Sequence, residues 1–196
     1  MTDLQKKISF IEETDKLKGV YRRALIKCDN NRRENTAEHS WQVTLMAVVL
    51  QDYANKSIDI TKVMKMLLIH DIVEIYAGDT FAFDSHAILA EQNAKELEAL
   101  EKIFSFLPDE DAKMYKNLWL EFEENKTAEA KFSKAIERVA PLFQNMQNNG
   151  GSWTAYGEIP KEKVLKRNEG LKEIAPKLWE YVVEQVNIAV SRGWLI

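Results

Sequence analysis

Cysteine, proline and glycine are scarce in this chain of 196 residues, which has one cysteine, four prolines and seven glycines. A single cysteine excludes a disulfide framework and a zinc ribbon that uses cysteine ligands. Few prolines and glycines leave few obligatory turns, and the frequent Lys, Glu, Leu and Ala predict a mostly helical protein. Cys28 lies in a polar stretch with no histidine close to it in sequence, so we do not expect it to act as a nucleophile.

Long apolar runs and an excess of positive charge are also absent. The longest apolar stretches, at residues 45–50 and 64–69, are far too short to span a bilayer. Lysine and arginine number 27 against 31 acidic residues, and the net charge of −4 argues against a general nucleic-acid binder. The polar N-terminal segment lacks the apolar core of a signal peptide. We therefore expect a cytoplasmic protein that binds neither a membrane nor a nucleic-acid polymer.

Apolar residues recur mainly at spacings of three and four, which predicts helices. Thr36 is the predicted N-cap of the second helix, and Trp41, Leu45 and Val49 share a face of this helix that should pack in the core. Residues 18–34 look irregular and basic, and no strand pattern of period two persists. The predicted helices cover residues 4–17, 36–53, 59–76, 86–106, 109–124 and 127–146, with a last helical region at 162–192.

These segments predict a single all-α domain over residues 1–196, with roughly six to eight helices in an irregular packing. Its motif core should span about 17–168, followed by a C-terminal helical region at 160–196. Gly78 is expected to end the third helix, and Pro141 to lie inside the sixth and kink it.

The densest group of ionisable residues follows an apolar run at residues 63–69. One histidine and three carboxylates, His70, Asp71, Glu74 and Asp79, lie within ten residues. Because the run before them should be buried, these charged groups need partners or a metal ion. Adjacent helical residues point about 100° apart, so His70 and Asp71 would meet one metal only with further ligands from other helices.

Candidates for those further ligands are His39 and a carboxylate from the later half of the chain. Imidazole and carboxylate together suit Zn, Mn, Fe, Co, Ni or Mg. An ordinary ion pair or helix-end interaction at His70 and Asp71 is the alternative, and the residues alone leave both open. His86 stands at a predicted helix start, and we do not expect it to be a ligand.

Four segments carry a resemblance to a known family. The string RENTAEHS at residues 33–40, followed by HDIVEIYAGDT at 70–80, resembles the HD-domain metal-dependent phosphohydrolase superfamily, and within it the branch of 5′-deoxynucleotidases. The string AEAKFSKAIER at 128–138 is similar to the late motif of that family, and GGSW at 150–153 to a loop of a bacterial subgroup. The resemblance runs from about residue 17 to residue 168.

The resemblance implies a role for each matching residue. One divalent metal ion would be bound by His39, His70, Asp71 and a fourth ligand, normally an aspartate, whose position is taken here by Glu137. A carboxylate oxygen remains available, but the side chain is one methylene longer. The other reading of Glu137 is a salt bridge with Arg138 or a nearby lysine.

Two catalytic roles and a substrate contact follow from the same resemblance. Glu74 would hold or deprotonate the attacking water, and Asp79 would contact the sugar or order the nucleophile. Arg22 would contact the phosphate. The segment at residues 16–33 has seven basic residues against one acidic residue, so it can steer an anion toward His39, and Arg23 is the second candidate for phosphate.

The implied activity is 5′-nucleotidase-type hydrolysis of (deoxy)nucleoside monophosphates to nucleoside and phosphate. One alternative is another phosphoester or pyrophosphate as substrate: a cyclic nucleotide, an alarmone or a dNTP. A third reading is a catalytically weak metal- or nucleotide-binding protein. A homodimer is expected from the resemblance and from the apolar C-terminus at residues 193–196, which would otherwise be an exposed patch.

Overall fold

The computed structural model describes residues 1–79, 86–157 and 159–196, except for the side chains of residues 86–91 and 93. This part of the chain forms eleven α-helices and one antiparallel β-hairpin. The helices are α1 Asp3–Thr14, α2 Thr36–Leu50, α3 Ile60–Ile69, α4 Glu74–Ala77, α5 His86–Phe104, α6 Asp109–Glu124, α7 Ala128–Gln147, α8 Gly151–Ala155, α9 Lys161–Asn168, α10 Leu171–Ile174 and α11 Pro176–Ser191; the strands are β1 Tyr21–Ile26 and β2 Arg32–Asn35.

The prediction of a mostly helical fold is confirmed. Seven of the described helices have ten or more residues, and four shorter helices bring the number above the predicted six to eight. None of the helices in the described ranges is both long and apolar enough to cross a membrane.

Helix α7 lies at the centre of the larger core cluster. Its buried side chains include Phe132, Ile136, Val139 and Leu142, which pack with α2, α3, α10 and α11. Burial of such large apolar side chains stabilises the fold by about 1.5–3 kcal/mol each. Glu137 lies among these positions, so the helix presents a carboxylate from the inside of the core.

A smaller core cluster joins α5 and α6 to the end of α3. Ile103 and Phe104 of α5 and Trp119 of α6 are its largest members, and Phe10 of α1 stacks on Phe104 at 5.9 Å between ring centroids. The indole Nε1 of Trp119 donates to the backbone carbonyl of His70 at 2.8 Å. The segment that follows α3 is therefore held between the two clusters.

The predicted third helix is interrupted. Helix α3 ends at Ile69, residues 70–73 form a turn, and a single-turn helix α4 begins at Glu74. Gly78 ends α4 with φ +76°, as expected for a glycine helix stop. His70 and Asp71 therefore lie in a turn between two helices and not in the single continuous helix that was predicted.

A β-hairpin occupies the segment that was predicted to be irregular. Asn30 and Asn31 connect its strands in the left-handed conformation, with φ +52° and +57°, which asparagine tolerates better than most residues. The exposed Cys28 lies in the short 3-10 helix at this turn. The strands are too short and too polar to show an apolar alternation, and β1 packs on α7 and α8 instead.

The predicted buried face of α2 was wrong. Trp41, Leu45 and Val49 are 63, 43 and 65% exposed, and the helix buries His39 and Val43 on its other side. Because α2 has apolar residues on both sides, the pattern does not decide which side packs.

One prediction about the start of α2 and one about the C-terminus of the chain also need correction. The N-cap of α2 is Asn35, which forms a capping box with Glu38, and not Thr36. Trp194 and Leu195 pack against the larger core cluster, so only Ile196 of the apolar C-terminus is largely exposed.

Candidate metal centre

Three side chains from two elements converge beneath a cavity. His39 of α2 and His70 and Asp71 of the turn after α3 each offer a ligand atom, and these three atoms lie within 4.8 Å of one another. The Nε2 atoms of His70 and His39 are 3.0 and 3.9 Å from Oδ2 of Asp71. His70 and Asp71 are adjacent in sequence, and their ligand atoms nevertheless face the same point.

The tautomer of His70 follows from its backbone contact. Its Nδ1 lies 2.8 Å from the carbonyl oxygen of Leu67, which can only accept, so Nδ1 carries the proton. The lone pair is then on Nε2, the atom nearest Asp71. Such a backbone contact is the usual way in which a metal-binding imidazole is oriented.

A buried carboxylate behind His39 was missed in the sequence. Oε2 of Glu34 lies 3.4 Å from Nδ1 of His39, and Gln144 donates from Nε2 to Oε1 of Glu34 at 2.5 Å. Glu34 is only 3% exposed. Its place before His39, at the end of a strand that leads into α2, is a weak signal, since nothing in the sequence shows that the side chain turns inward.

The donor set fits a divalent cation. Nε2 of both histidines is fully buried and has no hydrogen-bond partner in the described part of the chain. Burial lowers the pKa of His39, and Arg22 lowers it further, which favours the neutral imidazole that a metal requires. Two imidazole nitrogens and a carboxylate oxygen are ligands that borderline divalent metals accept.

Nearby charged groups shift the pKa of Asp71 and of its neighbour His70. Burial alone would raise the pKa of Asp71, but His70 and Arg22 hold it well below its usual range. Burial opposes the charge of His70, but the Asp71 carboxylate outweighs it and raises the pKa of His70. A carboxylate whose ionised form is favoured in this way is suited to bind a cation.

Arg22, predicted to bind phosphate, lies among carboxylates. Its Nη1 donates to Oδ2 of Asp71 at 2.6 Å and is 3.7 and 3.9 Å from oxygens of Glu74 and Asp79. Burial acts against the guanidinium charge, but the three carboxylates outweigh it and raise the pKa of Arg22 further. The predicted Arg22, Asp71, Glu74 and Asp79 thus form one contiguous group.

Glu74 is held by the hydroxyl of Thr36, which donates to its Oε2 at 2.8 Å. Burial and the neighbouring Asp71 raise the pKa of Glu74 well above its usual range. The pKa of Asp79 is raised by the same two causes, burial first. Thr36 therefore orients the predicted base, a role that its predicted helix cap did not anticipate.

Glu137 lies next to the three-residue group but not within it. Its Oε1 accepts from Nη2 of Arg167 on α9 at 3.1 Å. Burial would raise the pKa of Glu137, but Arg167 and then His70 lower it. An arginine partner for Glu137 was expected as one alternative, but the partner is Arg167 and not the adjacent Arg138.

The cavity above these residues has a volume of about 330 Å³. We call the part lined by Asp71, Glu74, Asp79 and Arg22 its floor, and the part lined by α7, α8 and α9 its outer end. Arg23 also lines it, with its guanidinium 5.8 Å from the centre of the Tyr156 ring. The pairing of β1 with β2 is irregular between Tyr21 and Leu25, which allows both arginines to reach the cavity.

The outer end of the cavity holds two polar groups that make no hydrogen bond within the described ranges. Arg138 is half-buried and makes no close ion pair there, although its charge acts on Glu169, as the charge of Lys166 does more strongly. Oδ1 of Asn168 is buried and accepts no hydrogen bond there. Trp153, from the GGSW string and located in α8, is 5% exposed and contributes an apolar wall. The side chain of His86 lies outside the described residues.

A helical fold with two histidines and an aspartate beneath a charged cavity defines a class of metal-dependent helical proteins, and comparison with known proteins agrees. The sequence profile of the HD domain family matches residues 14–179. The chain belongs to the HD-domain family.

A crystal structure from Magnetospirillum magnetotacticum, described as a predicted metal-dependent phosphohydrolase, is 41% identical, with a TM-score of 0.89 over 98% of this chain and 95% of that one. Among curated relatives, the 5′-deoxynucleotidase HDDC2 of Homo sapiens is 29% identical over 138 residues, 70% of this chain and 65% of the relative. The same enzyme of Danio rerio is 28% identical over 137 residues, 70% of this chain and 66% of the relative. The matches thus span just under two thirds of these two relatives.

Proposed function

We propose that the protein is a metal-dependent phosphohydrolase that releases phosphate from (deoxy)nucleoside 5′-monophosphates. The observation that carries this is the pair of buried, unpartnered Nε2 atoms of His39 and His70 beside Asp71, at the floor of a cavity that also holds Glu74 and Arg22. His39, His70 and Asp71 would hold one divalent ion, with Glu137 as a fourth ligand. The candidates for this divalent ion are Mn, Co, Zn, Fe, Ni and Mg.

When bound, the divalent ion would acidify a water molecule and offset negative charge on the phosphoryl group. Glu74 is the general base in this proposal. The Thr36 hydroxyl holds Oε2 of Glu74, so Oε1 is the oxygen that would take the proton of the attacking water. Burial and the neighbouring Asp71 raise the pKa of Glu74, which makes its carboxylate a stronger base.

Arg22 would bind the phosphate of the substrate. Its guanidinium has five N–H donors, and one of them, on Nη1, contacts Oδ2 of Asp71 at 2.6 Å. Other donors remain for phosphate oxygens, and arginine suits the flat, two-point contact that phosphate offers. Asp79, 3.9 Å from Arg22, would contact the sugar or order the nucleophile.

The charges of the cavity wall support dependence on a metal. Acidic residues outnumber basic ones by six to five, so the wall alone has no net attraction for a phosphate dianion. The basic residues are Arg22, Arg23, Lys134, Arg138 and Arg167, and the acidic ones are Asp71, Glu74, Asp79, Glu96, Glu123 and Glu137. Two added positive charges would reverse this balance.

The size of the cavity supports a mononucleotide and not a nucleic-acid polymer. Its volume of about 330 Å³ is near the lower end of the roughly 300–1,000 Å³ typical of small-molecule sites. The relatives named 5′-deoxynucleotidase support the same substrate class. Arg138 favours a second candidate, a substrate with a further phosphate such as a dNTP, because its guanidinium lines the cavity without a hydrogen bond and could bind that phosphate.

The test is phosphate release from a panel of nucleoside and deoxynucleoside mono- and triphosphates, with Mn, Co, Zn and Mg each added. We expect monophosphates to give inorganic phosphate and nucleoside, and Arg22→Gln to lose most of this activity. Arg32→Gln is the matched control in the same hairpin, since Arg32 pairs with Glu38 and Asp29 on the surface. Metal-loaded protein that turns over no nucleotide would reject the proposal, whereas pyrophosphate from dNTPs would establish the second candidate.

We also propose that two copies of the chain associate through the exposed face of α2. Trp41, Leu45 and Val49 form a stripe there that a second copy would cover. Trp41→Glu should then halve the mass measured by light scattering, and a monomeric parent protein would contradict the dimer. The cytoplasmic location predicted from the sequence remains part of the proposal, to be checked by cell fractionation.

A further inference from the structure

Glu137 and Arg167 form an ion pair in the cavity wall. Glu137 is 8% exposed, and the side chain of Arg167 retains 25% of its exposure. The contact joins two helices: Glu137 lies in the middle of α7, and Arg167 is next to the last residue of α9. Both residues line the same cavity as His70 and Asp71.

Only one of the two carboxylate oxygens is engaged. Arg167 donates to Oε1, and within the described residues no donor is paired with Oε2 of Glu137. A partly buried carboxylate with one free oxygen, in the wall of the same cavity as His70 and Asp71, can serve as a metal ligand.

The contact with Arg167 is important because the side chain of Glu137 is longer than that of an aspartate. Glutamate has one more rotatable bond than aspartate, so its carboxylate can occupy more positions around the same backbone. A charge-assisted hydrogen bond from arginine restricts those positions, because the fork of the guanidinium has a fixed geometry. The ligating carboxylates of metal sites are commonly fixed by such outer partners.

We propose that Arg167 is a positioning residue for the metal centre: it holds Oε1 of Glu137 so that Oε2 remains available to the ion beside His39, His70 and Asp71. This rests on the metal site of the proposed function. It adds a residue from α9, outside all the motif strings, to the machinery that sets metal affinity.

The direction in which metal affinity changes when Arg167 is replaced distinguishes a positioning role from a purely electrostatic one. Removal of any positive charge near the site should strengthen the binding of a cation. If Arg167 acts by position, its loss should weaken binding in spite of this. Arg138→Gln removes the same charge from the neighbouring cavity wall, where Arg138 has no contact with Glu137, and is therefore the matched control.

The experiment is titration of the metal-free protein with Co²⁺ by calorimetry and visible absorption. We expect Arg167→Gln to raise the dissociation constant by about tenfold and to change the Co²⁺ spectrum as Glu137→Gln does. Arg138→Gln should leave the constant unchanged or lower it. Arg167→Lys keeps the charge and one donor, so it should show a smaller loss, and it replaces Arg167→Gln if that variant is unfolded by circular dichroism.

A double-mutant cycle completes the test. The carboxylate of Glu137→Asp is drawn back by one methylene from Arg167, so Arg167→Gln should have less than about a twofold effect in that background. An equal loss in both backgrounds, or unchanged affinity in the parent background, would overturn the inference. Metal binding that follows this pattern without any phosphate release would overturn the proposed reaction and leave the inference standing.

Discussion

The two ends of the cavity differ in how their charged groups are satisfied. At the floor, Arg22 contacts Asp71 and lies near Glu74 and Asp79, so every charge has an opposite neighbour. At the outer end, Arg138 makes no hydrogen bond or close ion pair within the described residues, and Oδ1 of Asn168 accepts no hydrogen bond there. A floor with interlocked charges is suited to fixed chemistry, and an outer end with such groups is suited to a ligand that supplies the hydrogen-bond partners.

The largest effect is expected from His70→Gln, which breaks the floor. The substitution removes the Nε2 lone pair, so affinity for the divalent ion should fall by more than about 100-fold, above the range found for outer partners alone. Nucleotide hydrolysis should be undetectable. Elemental analysis and phosphate release measure both effects, and a variant with full metal content would show that His70 is not a ligand.

Glu74→Gln should separate metal binding from catalysis at the floor. The Thr36 hydroxyl can still donate to an amide oxygen at this position, so the site should keep its shape. Without a general base, kcat should fall by about 10²–10⁴-fold while metal content is retained. Steady-state kinetics on metal-loaded protein provide the measurement. A kcat within a factor of two of the parent value would remove Glu74 from the mechanism.

Glu34→Gln tests the carboxylate behind His39. The amide keeps an oxygen for Gln144 but loses the charge that faces Nδ1 of His39. We expect metal affinity to fall by about tenfold, at the low end for loss of an outer carboxylate. Calorimetric titration would show this, and an unchanged dissociation constant would limit Glu34 to a packing role.

Arg138→Gln is expected to have the smallest effect, and it tests the outer end. If Arg138 contributes to substrate binding and not to the chemical step, the KM for the nucleotide should rise by about fivefold, or roughly 1 kcal/mol, with kcat unchanged. The comparison of the two ends would fail if kcat fell and KM did not, since Arg138 would then act in the chemical step.

The sequence predicted the chemistry of the site better than its geometry. His39, His70 and Asp71 were expected together, and the structure brings them within 4.8 Å. The sequence did not predict that α3 ends at Ile69, or that Trp119 donates to the backbone carbonyl of His70. That contact comes from a residue far along the chain, so no local pattern could reveal it.

Glu34 and Arg167 are two further residues whose contacts could not be predicted from the local sequence. Both are charged residues whose neighbours in sequence give no sign of burial, and each acquires its partner through tertiary packing. The β-hairpin was missed because its strands do not alternate, although the asparagine pair at residues 30 and 31 was a usable turn signal. The exposed face of α2 shows that a helical apolar pattern identifies a helix more securely than its buried side.

The single cysteine of the chain lies at the turn of the hairpin whose first strand carries Arg22 and Arg23. Cys28 is exposed, and Lys27 beside it donates to the carbonyl of Gln147 at the end of α7 at 2.8 Å. A fluorophore or spin label can therefore be attached at one defined position without any substitution. Its signal would report, in solution and in real time, whether the arginine-bearing strand moves when a nucleotide enters the cavity.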